Sequence, residues 1–305
     1  MDELFLGIDI GGTKTGVVLG TASGNILLKE QFSTEGAPDT IIERIISISE
    51  RLVHSFPDCK VLSAGISCGG PLDSVRGVIL SPPHLPLWNG IPIVREIETR
   101  LGIPTFLQND ANACALAEWN WGNGKGCRNM IFLTFGTGFG AGLILNGALY
   151  EGTNGMAGEI GHVRLTSSGP FCYGKQGSVE SFCSGEGISL LYEQAYASRL
   201  TAKDICKQAN EGDAAASKII DLSAEKLGLT LSILIDILDP EKIIIGSIYT
   251  RDEQLFRNKV LDVVNRETLM RTKTCAIMPS ALGDDIGYMA ALGVAKSYWK
   301  GYNHE

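Results

Sequence analysis

The chain has 305 residues, 44% apolar and 20% charged, enough to bury one large core or two moderate ones, so disorder is excluded and two lobes are expected. Its net charge of −8, with no basic stripe, argues against a nucleic-acid partner. The start, Met1-Asp2-Glu3-Leu4-Phe5, has no secretory pattern, and no apolar run nears the ~20 residues of a membrane span, so a cytoplasmic protein without membrane contact is expected.

In chain order, residues 4–10 and 15–19 are short apolar runs flanking Gly11-Gly12-Thr13-Lys14, which predicts a hairpin with a glycine turn. Pro38 opens a helix whose isoleucines recur at three- and four-residue steps, with Glu43, Arg44 and Glu50 on the other face. Residues 61–67 read as a buried strand running into Cys68-Gly69-Gly70-Pro71. A helix from Pro92 to Gly102, a strand over 103–107 and a helix over 110–121 follow, which places Asn109 and Asp110 at a strand end, where α/β proteins bind ligands. Residues 130–135 and 141–145 flank Gly136-Thr137-Gly138-Phe139-Gly140 and repeat the opening hairpin, so the chain reads as two similar α/β halves. Beyond residue 184, helices are expected over 185–199, 202–209, 212–238 and 251–270, with one strand at 242–245. The eight cysteines form no CxxC pair and read as free buried thiols.

Four constellations carry chemistry. In Asp9-Ile10-Gly11-Gly12-Thr13-Lys14, adjacent glycines let backbone N–H groups approach phosphate oxygens, and Asp9 can hold magnesium through water; the same residues also suit a plain hairpin turn. The glycines from Gly136 to Gly142 leave a strand pair bare of side chains, as a close-approaching phosphate requires. In Gln108-Asn109-Asp110-Ala111-Asn112, a carboxylate flanked by amides suits general-base work on an alcohol, or a helix cap. In Glu159-Ile160-Gly161-His162 and the later Glu180, paired carboxylates can grip sugar hydroxyls.

Taken in order, these segments with Gly69-Gly70-Pro71 resemble the ROK family (repressor, open reading frame, kinase) of the hexokinase and actin-like ATPase superfamily, over nearly the whole chain. The resemblance implies a two-lobed actin-like (ribonuclease H-like) α/β fold, duplicated α/β domains with a cleft between them. The smaller lobe would comprise residues 1–112 with a last helix at 287–305, and the larger 113–286. It implies a sugar kinase that phosphorylates a hexose hydroxyl, commonly O6, with ATP and Mg²⁺, and with Asp110 as catalytic base. Gly70, Asn89, Asn109, Glu159, His162 and Glu180 would bind the sugar. Asp9, Gly11, Gly12, Thr13, Lys14, Gly136, Thr137, Gly138 and Gly246 would serve ATP, its phosphates and magnesium. Family members are often homodimers or homotetramers.

Two departures stand out. Where many relatives carry zinc-binding cysteines, this chain has Phe171, Tyr173 and Ser178, so no structural zinc is expected; His162, Cys172 and Cys183 would be the only unorthodox alternative. Without zinc, the hydroxyl of Tyr173 or Ser178, or packing by Phe171, is expected to orient His162. Where relatives often have a glycine run, the chain reads Gly246-Ser247-Ile248. These departures keep open a sugar-binding or regulatory protein with weak catalysis. A family repressor is not expected, because the glycine loop begins at residue 9 with no helix-turn-helix ahead of it.

Overall fold

A computed structural model describes residues 3–269 and 275–302. The chain divides into two compact units, residues 1–125 with 281–305 and residues 126–280.

Unit 1 opens with β1 (Glu3–Ile10), β2 (Lys14–Thr21) and β3 (Ile26–Ser33), then α1 (Pro38–His54) and β4 (Lys60–Cys68). Three short strands, β5 (Leu72–Asp73), β6 (Val78–Leu80) and β7 (Asn89–Ile91), form a small sheet of their own. Then come α2 (Ile93–Leu101), β8 (Thr105–Asn109) and α3 (Asp110–Trp121), and the chain returns at its last helix, Ile286–Tyr302. Among the described residues the main sheet runs β3-β2-β1-β4-β8, antiparallel from β3 to β1 and parallel from β1 to β8. Because β1 is apolar on both faces, the sheet is covered twice. Leu4, Leu6, Ile8 and Ile10 pack with Ile41, Ile45 and Ile46 of α1, while Phe5 and Val18 pack with Met289, Leu292 and Ala295 of the last helix.

Unit 2 repeats the plan. It contains β9 (Met130–Phe135), β10 (Phe139–Leu145), β11 (Ala148–Leu149), the hairpin β12 (Phe171–Cys172) and β13 (Lys175–Gln176), and then α4 (Val179–Phe182), α5 (Gly185–Tyr196), α6 (Ala202–Asn210), α7 (Ala214–Leu238), β14 (Lys242–Ile245), α8 (Ile248–Glu267) and β15 (Ala276–Pro279). Its sheet runs β11-β10-β9-β14-β15, again antiparallel through the hairpin and parallel from β9 onward. Leu227, Leu231 and Leu234 of α7 share one core with Phe256 and Val260 of α8 and with Ile131 and Leu133 of β9. Among the described residues no helix is long and apolar enough to cross a membrane.

The two glycine hairpins and the helix over 110–121 form where the sequence places them, and several details differ. The boundary expected after residue 112 falls inside α3, but all of α3 belongs to unit 1, because Asn120 Nδ2 donates to Ser297 Oγ (3.0 Å) on the last helix. The return to unit 1 starts at 281 and not at 287, since Ala281 N donates to Glu118 Oε1 (2.9 Å). Helix α5 stops at Tyr196 because Ala197 turns left-handed (φ 51°), and α7 starts at Ala214 because Asp213 caps Ala216 N. The edge strand β3 escapes the sequence pattern because Lys29, Glu30 and Gln31 interrupt its apolar alternation. Residue 270 of the helix expected over 251–270 and residues 303–305 of the expected last helix lie outside the described residues.

Candidate functional site

In unit 1, β8 delivers the chain to α3 at Asn109 and Asp110. Asn109 caps the helix, its side-chain oxygen accepting from Ala111 N (3.0 Å), so Asp110 is the first helical residue and its side chain is exposed. Its Oδ1 also approaches Ala111 N (2.8 Å). The segment is held from below by Gln108, whose Oε1 accepts from Asn109 N (2.7 Å) and Asn112 Nδ2 (3.1 Å) and whose Nε2 donates to Tyr298 Oη (2.7 Å). Gly70 neighbours the group, since a Cβ there would stand 3.4 Å from Asn109 Nδ2. Asn89 is exposed on β7, opposite Leu80, with no hydrogen bond to the Asp110 group.

The β1–β2 turn carries the second element. Asp9, at the end of β1, has its carboxyl raised from 3.8 to about 6 by burial first and the Asp110 charge second, against a lowering hydrogen bond from Ser67. The charge of Asp110 thus reaches Asp9, and a buried carboxyl near a second carboxylate is an environment suited to a cation. Gly11 N donates to Lys14 O (3.0 Å) to close the turn, and Thr13 and Lys14 are exposed. Gly12 tolerates no side chain, because a Cβ would lie 2.6 Å from His84 Cβ and 2.8 Å from His84 O. Sequence reasoning missed His84. It sits in the loop between β6 and β7, anchored by buried Trp88, whose carbonyl accepts from Ser81 N (2.8 Å). The available signal was a lone histidine in Pro82-Pro83-His84-Leu85-Pro86, a stretch too rich in proline for regular structure.

Unit 2 groups its own candidates. Gly136 N donates to Gly138 O (3.1 Å) across the β9–β10 turn, and Gly185 N, at the start of α5, donates to Gly136 O (2.7 Å). Glu180 on α4 accepts from Phe139 N through Oε2 (2.9 Å) and from the Cys172 thiol through Oε1 (3.7 Å). Burial, chiefly, raises its carboxyl; Glu159 adds repulsion, while the two hydrogen bonds and His162 oppose it. Glu159 precedes the turn Ile160–His162 and His162 ends it, and both are exposed. Gly161 brings that turn onto the strand, since a Cβ there would meet Phe139 O at 2.1 Å. The structure therefore brings the turn containing Glu159 and His162, Glu180 and the second glycine turn together.

The zinc frame reads differently in space. Phe171 and Tyr173 are exposed, and Ser178 Oγ accepts from Ser181 N (3.3 Å) to cap α4. The Cys172 thiol points to Glu180, and that of Cys183 to Ser223 O (3.7 Å). Burial and the neighbouring Glu180 push Cys172 up to about 11. Among the described residues no group of three or more His, Cys, Asp or Glu is placed to hold a metal ion. Of the expected anchors of His162, Ser178 Oγ is engaged in the α4 cap and Phe171 is exposed, and the backbone of the segment is held by further bonds. Lys175 Nζ donates to His162 O (2.7 Å), and main-chain bonds from Val179 N to Val163 O and from Leu165 N to Gly177 O tie the segment down.

Beside the second glycine turn unit 2 has a pocket of about 800 Å³, lined by Gly136, Thr137, Gly185, Ser247, Ile248 and Arg251 among others. That volume suits a nucleotide-sized ligand. Gly246 itself faces away, its N–H donating to Leu133 O (2.9 Å), and Ser247 and Ile248 form the wall. Ser247 has φ 56° and ψ −113°, a backbone that serine disfavours, and its hydroxyl does not cap α8.

Comparison with known proteins accords with this geometry. The profile of the ROK family matches residues 5–297. A glucokinase of Thermotoga maritima is 32% identical over 95% of this chain and 96% of its own length. Among solved structures, a ROK hexokinase from Thermus thermophilus superposes with a TM-score of 0.89 at 28% identity, covering 98% of this chain and 99% of the other. A ROK family glucokinase from Streptomyces griseus, solved with glucose and AMPPNP, gives 0.79 at 27% identity over 96% and 99%.

Proposed function

The chain belongs to the ROK family and is a sugar kinase, and we propose that it transfers the γ-phosphoryl group of ATP to the O6 hydroxyl of a hexose or hexose derivative, with Asp110 as general base. The observation that carries this reading is the pairing of Asp110 with Asp9 beside a glycine turn that admits no side chain at Gly12. An exposed carboxylate at the start of α3 is placed to accept a proton. A second carboxylate, raised by burial and by the first, is placed to favour a cation. Magnesium, held by Asp9 through water, would supply neutralising charge to the phosphates.

In the step itself the sugar oxygen bonds to the γ-phosphorus as its proton passes to the Asp110 carboxylate, and the bond from that phosphorus to the bridging oxygen breaks, leaving ADP. Backbone N–H groups of Gly12 and Thr13 and of Thr137 and Gly138, in turns closed by Gly11 N and Gly136 N, would hold phosphate oxygens with the Thr137 hydroxyl, the pocket at Ser247 taking the rest of the nucleotide. Asn109, Glu159, His162 and Glu180 would hold sugar hydroxyls, with Gly70 leaving room beside Asn109. Little covalent chemistry falls to the protein, so positioning and charge account for most of the rate.

The test is ADP release across a panel of hexoses and their derivatives. One or more sugars should give turnover, and Asp110→Ala and Asp110→Asn should each lower kcat by about 10² to 10⁴ with an unchanged melting temperature. Turnover within a few-fold of wild type in both variants overturns the assignment of the base.

A further inference from the structure

Glu180 stands between two parts of unit 2 that the reading above gives to different substrates. Its Oε2 accepts from Phe139 N (2.9 Å), the first amide after the Gly136–Gly138 turn, and a Cβ on Gly138 would stand only 3.0 Å from the same oxygen. Its other oxygen takes the Cys172 thiol (3.7 Å), so both ends of the carboxylate are anchored. The main chain closes the circuit. Glu180 O accepts from Ser184 Oγ (2.8 Å), and the next amide, Gly185 N, donates back to Gly136 O (2.7 Å). The second glycine turn is therefore fastened at its far side by a side chain and at its near side by the helix that follows that side chain. Glu159, the other carboxylate of the group, is exposed and has no hydrogen bond to the turn.

We propose that Glu180 is a positioning residue for the phosphate turn as well as a sugar ligand, so that a sugar hydroxyl bound at Glu180 is felt at Phe139 N and the two substrates bind cooperatively through this one carboxylate. The proposal rests on the reading of Glu180 as a sugar ligand and of the turn as a phosphate cradle. Phe139 N and the Cys172 thiol leave lone pairs of Glu180 open, and a sugar hydroxyl donating to one of these fixes the carboxylate in the orientation that holds Phe139 N, so the turn is ordered before the nucleotide arrives. Coupling of this kind is reciprocal by necessity.

The experiment is calorimetry on the full chain with a non-hydrolysable ATP analogue and magnesium, first without sugar and then with D-glucose. Without sugar, Glu180→Ala should weaken the analogue by about tenfold, Glu180→Gln, which keeps an acceptor for Phe139 N, should recover most of that, and Glu159→Ala should stay within twofold of wild type. With wild type, D-glucose should tighten the analogue, and the analogue should tighten D-glucose by the same factor. Melting temperatures of the three variants separate these effects from misfolding. Wild-type affinity for the analogue in Glu180→Ala overturns the proposal. So does an equal loss in Glu159→Ala, which would mark a general effect of removing charge. Weakened analogue with unchanged D-glucose affinity in Glu180→Ala also overturns it, by removing the sugar half while leaving the turn link standing. Asp110→Ala keeps these apart from the catalytic assignment, because it should lose turnover and retain the coupling.

Discussion

The β1–β2 turn of unit 1 and the β9–β10 turn of unit 2 occupy the same place in the same strand order, yet they are built for different tasks. The first is charged and crowded. Asp9 lies at its entrance with a raised carboxyl, and the loop carrying His84 presses on Gly12. The second carries no charge of its own and is tied down by hydrogen bonds to Glu180 and Gly185. A duplicated hairpin has thus been divided between electrostatics in one unit and positioning in the other, and substitutions at matching places in the two turns should have unequal effects.

The largest effect should come from Asp9. Its carboxyl is raised, so between about pH 4 and pH 6 the folded chain holds a proton that the unfolded chain has released. Stability associated with that proton is present below the unfolded value of 3.8 and is lost as pH rises through about 6. At pH 8 the ionised Asp9 therefore costs the fold up to roughly 3 kcal/mol. Asp9→Asn should melt higher than wild type at pH 8, the gap closing towards pH 4, while kcat falls by about 10² from loss of the charge. Denaturant titration at both pH values and a turnover assay check this. A variant less stable than wild type at pH 8 would show that Asp9 is already compensated by the protein.

The glycines come next. Ala at Gly12 would put Cβ 2.6 Å from His84 Cβ and 2.8 Å from a backbone oxygen, so the loop between β6 and β7 must move, at about 1–3 kcal/mol. Ala at Gly136 would meet Ser247 Oγ at 3.4 Å and Ser247 Cβ and Thr134 Oγ1 at 3.8 Å, which are ordinary van der Waals contacts. Gly12→Ala should lower kcat/KM by tenfold or more, and Gly136→Ala by no more than about threefold, mostly through the KM for ATP. Equal losses would mean that the two turns are equally crowded when substrates are bound.

How far the sequence reveals this difference depends on the range of the contacts. The hairpins, α3 and the buried strands announce themselves by local pattern, because a run such as residues 4–10 is apolar enough to be covered on both faces and nothing else. The candidate residues next to a glycine turn or a strand end are legible for the same reason. Asn109 and Asp110 are adjacent, and which of them caps the helix is settled only by the backbone, which gives the cap to Asn109. His84 on Gly12 and Glu180 on Phe139 N are pairs 72 and 41 residues apart in sequence. No periodicity encodes them, since they arise from how the loops fold back on the sheets. The segment around His162 shows the same limit. Phe171, Tyr173 and Ser178 are visible as departures, but Lys175 on the His162 carbonyl is a side chain-to-backbone contact that no motif marks.

The smallest effect should come from Ser247, which lies opposite Gly136 and sharpens the contrast from the side of the pocket wall. Its backbone at φ 56° and ψ −113° lies where a Cβ is crowded, at about 1–3 kcal/mol of strain. Gly relieves that strain but adds freedom to the unfolded chain, which returns about 0.4–1 kcal/mol. The net gain for Ser247→Gly should be about 1 kcal/mol, or roughly 1–2 °C in Tm for a chain of this size, and Ser247→Ala, which keeps the Cβ, should gain nothing. If the strained serine serves the nucleotide through its hydroxyl, both variants should raise the KM for ATP by a few-fold equally. If it serves by crowding the pocket, the KM should fall in Ser247→Gly alone. The two variants measured together thus separate what the hydroxyl contributes from what the backbone costs, at the one place in the wall where a side chain replaces the glycine that the conformation calls for.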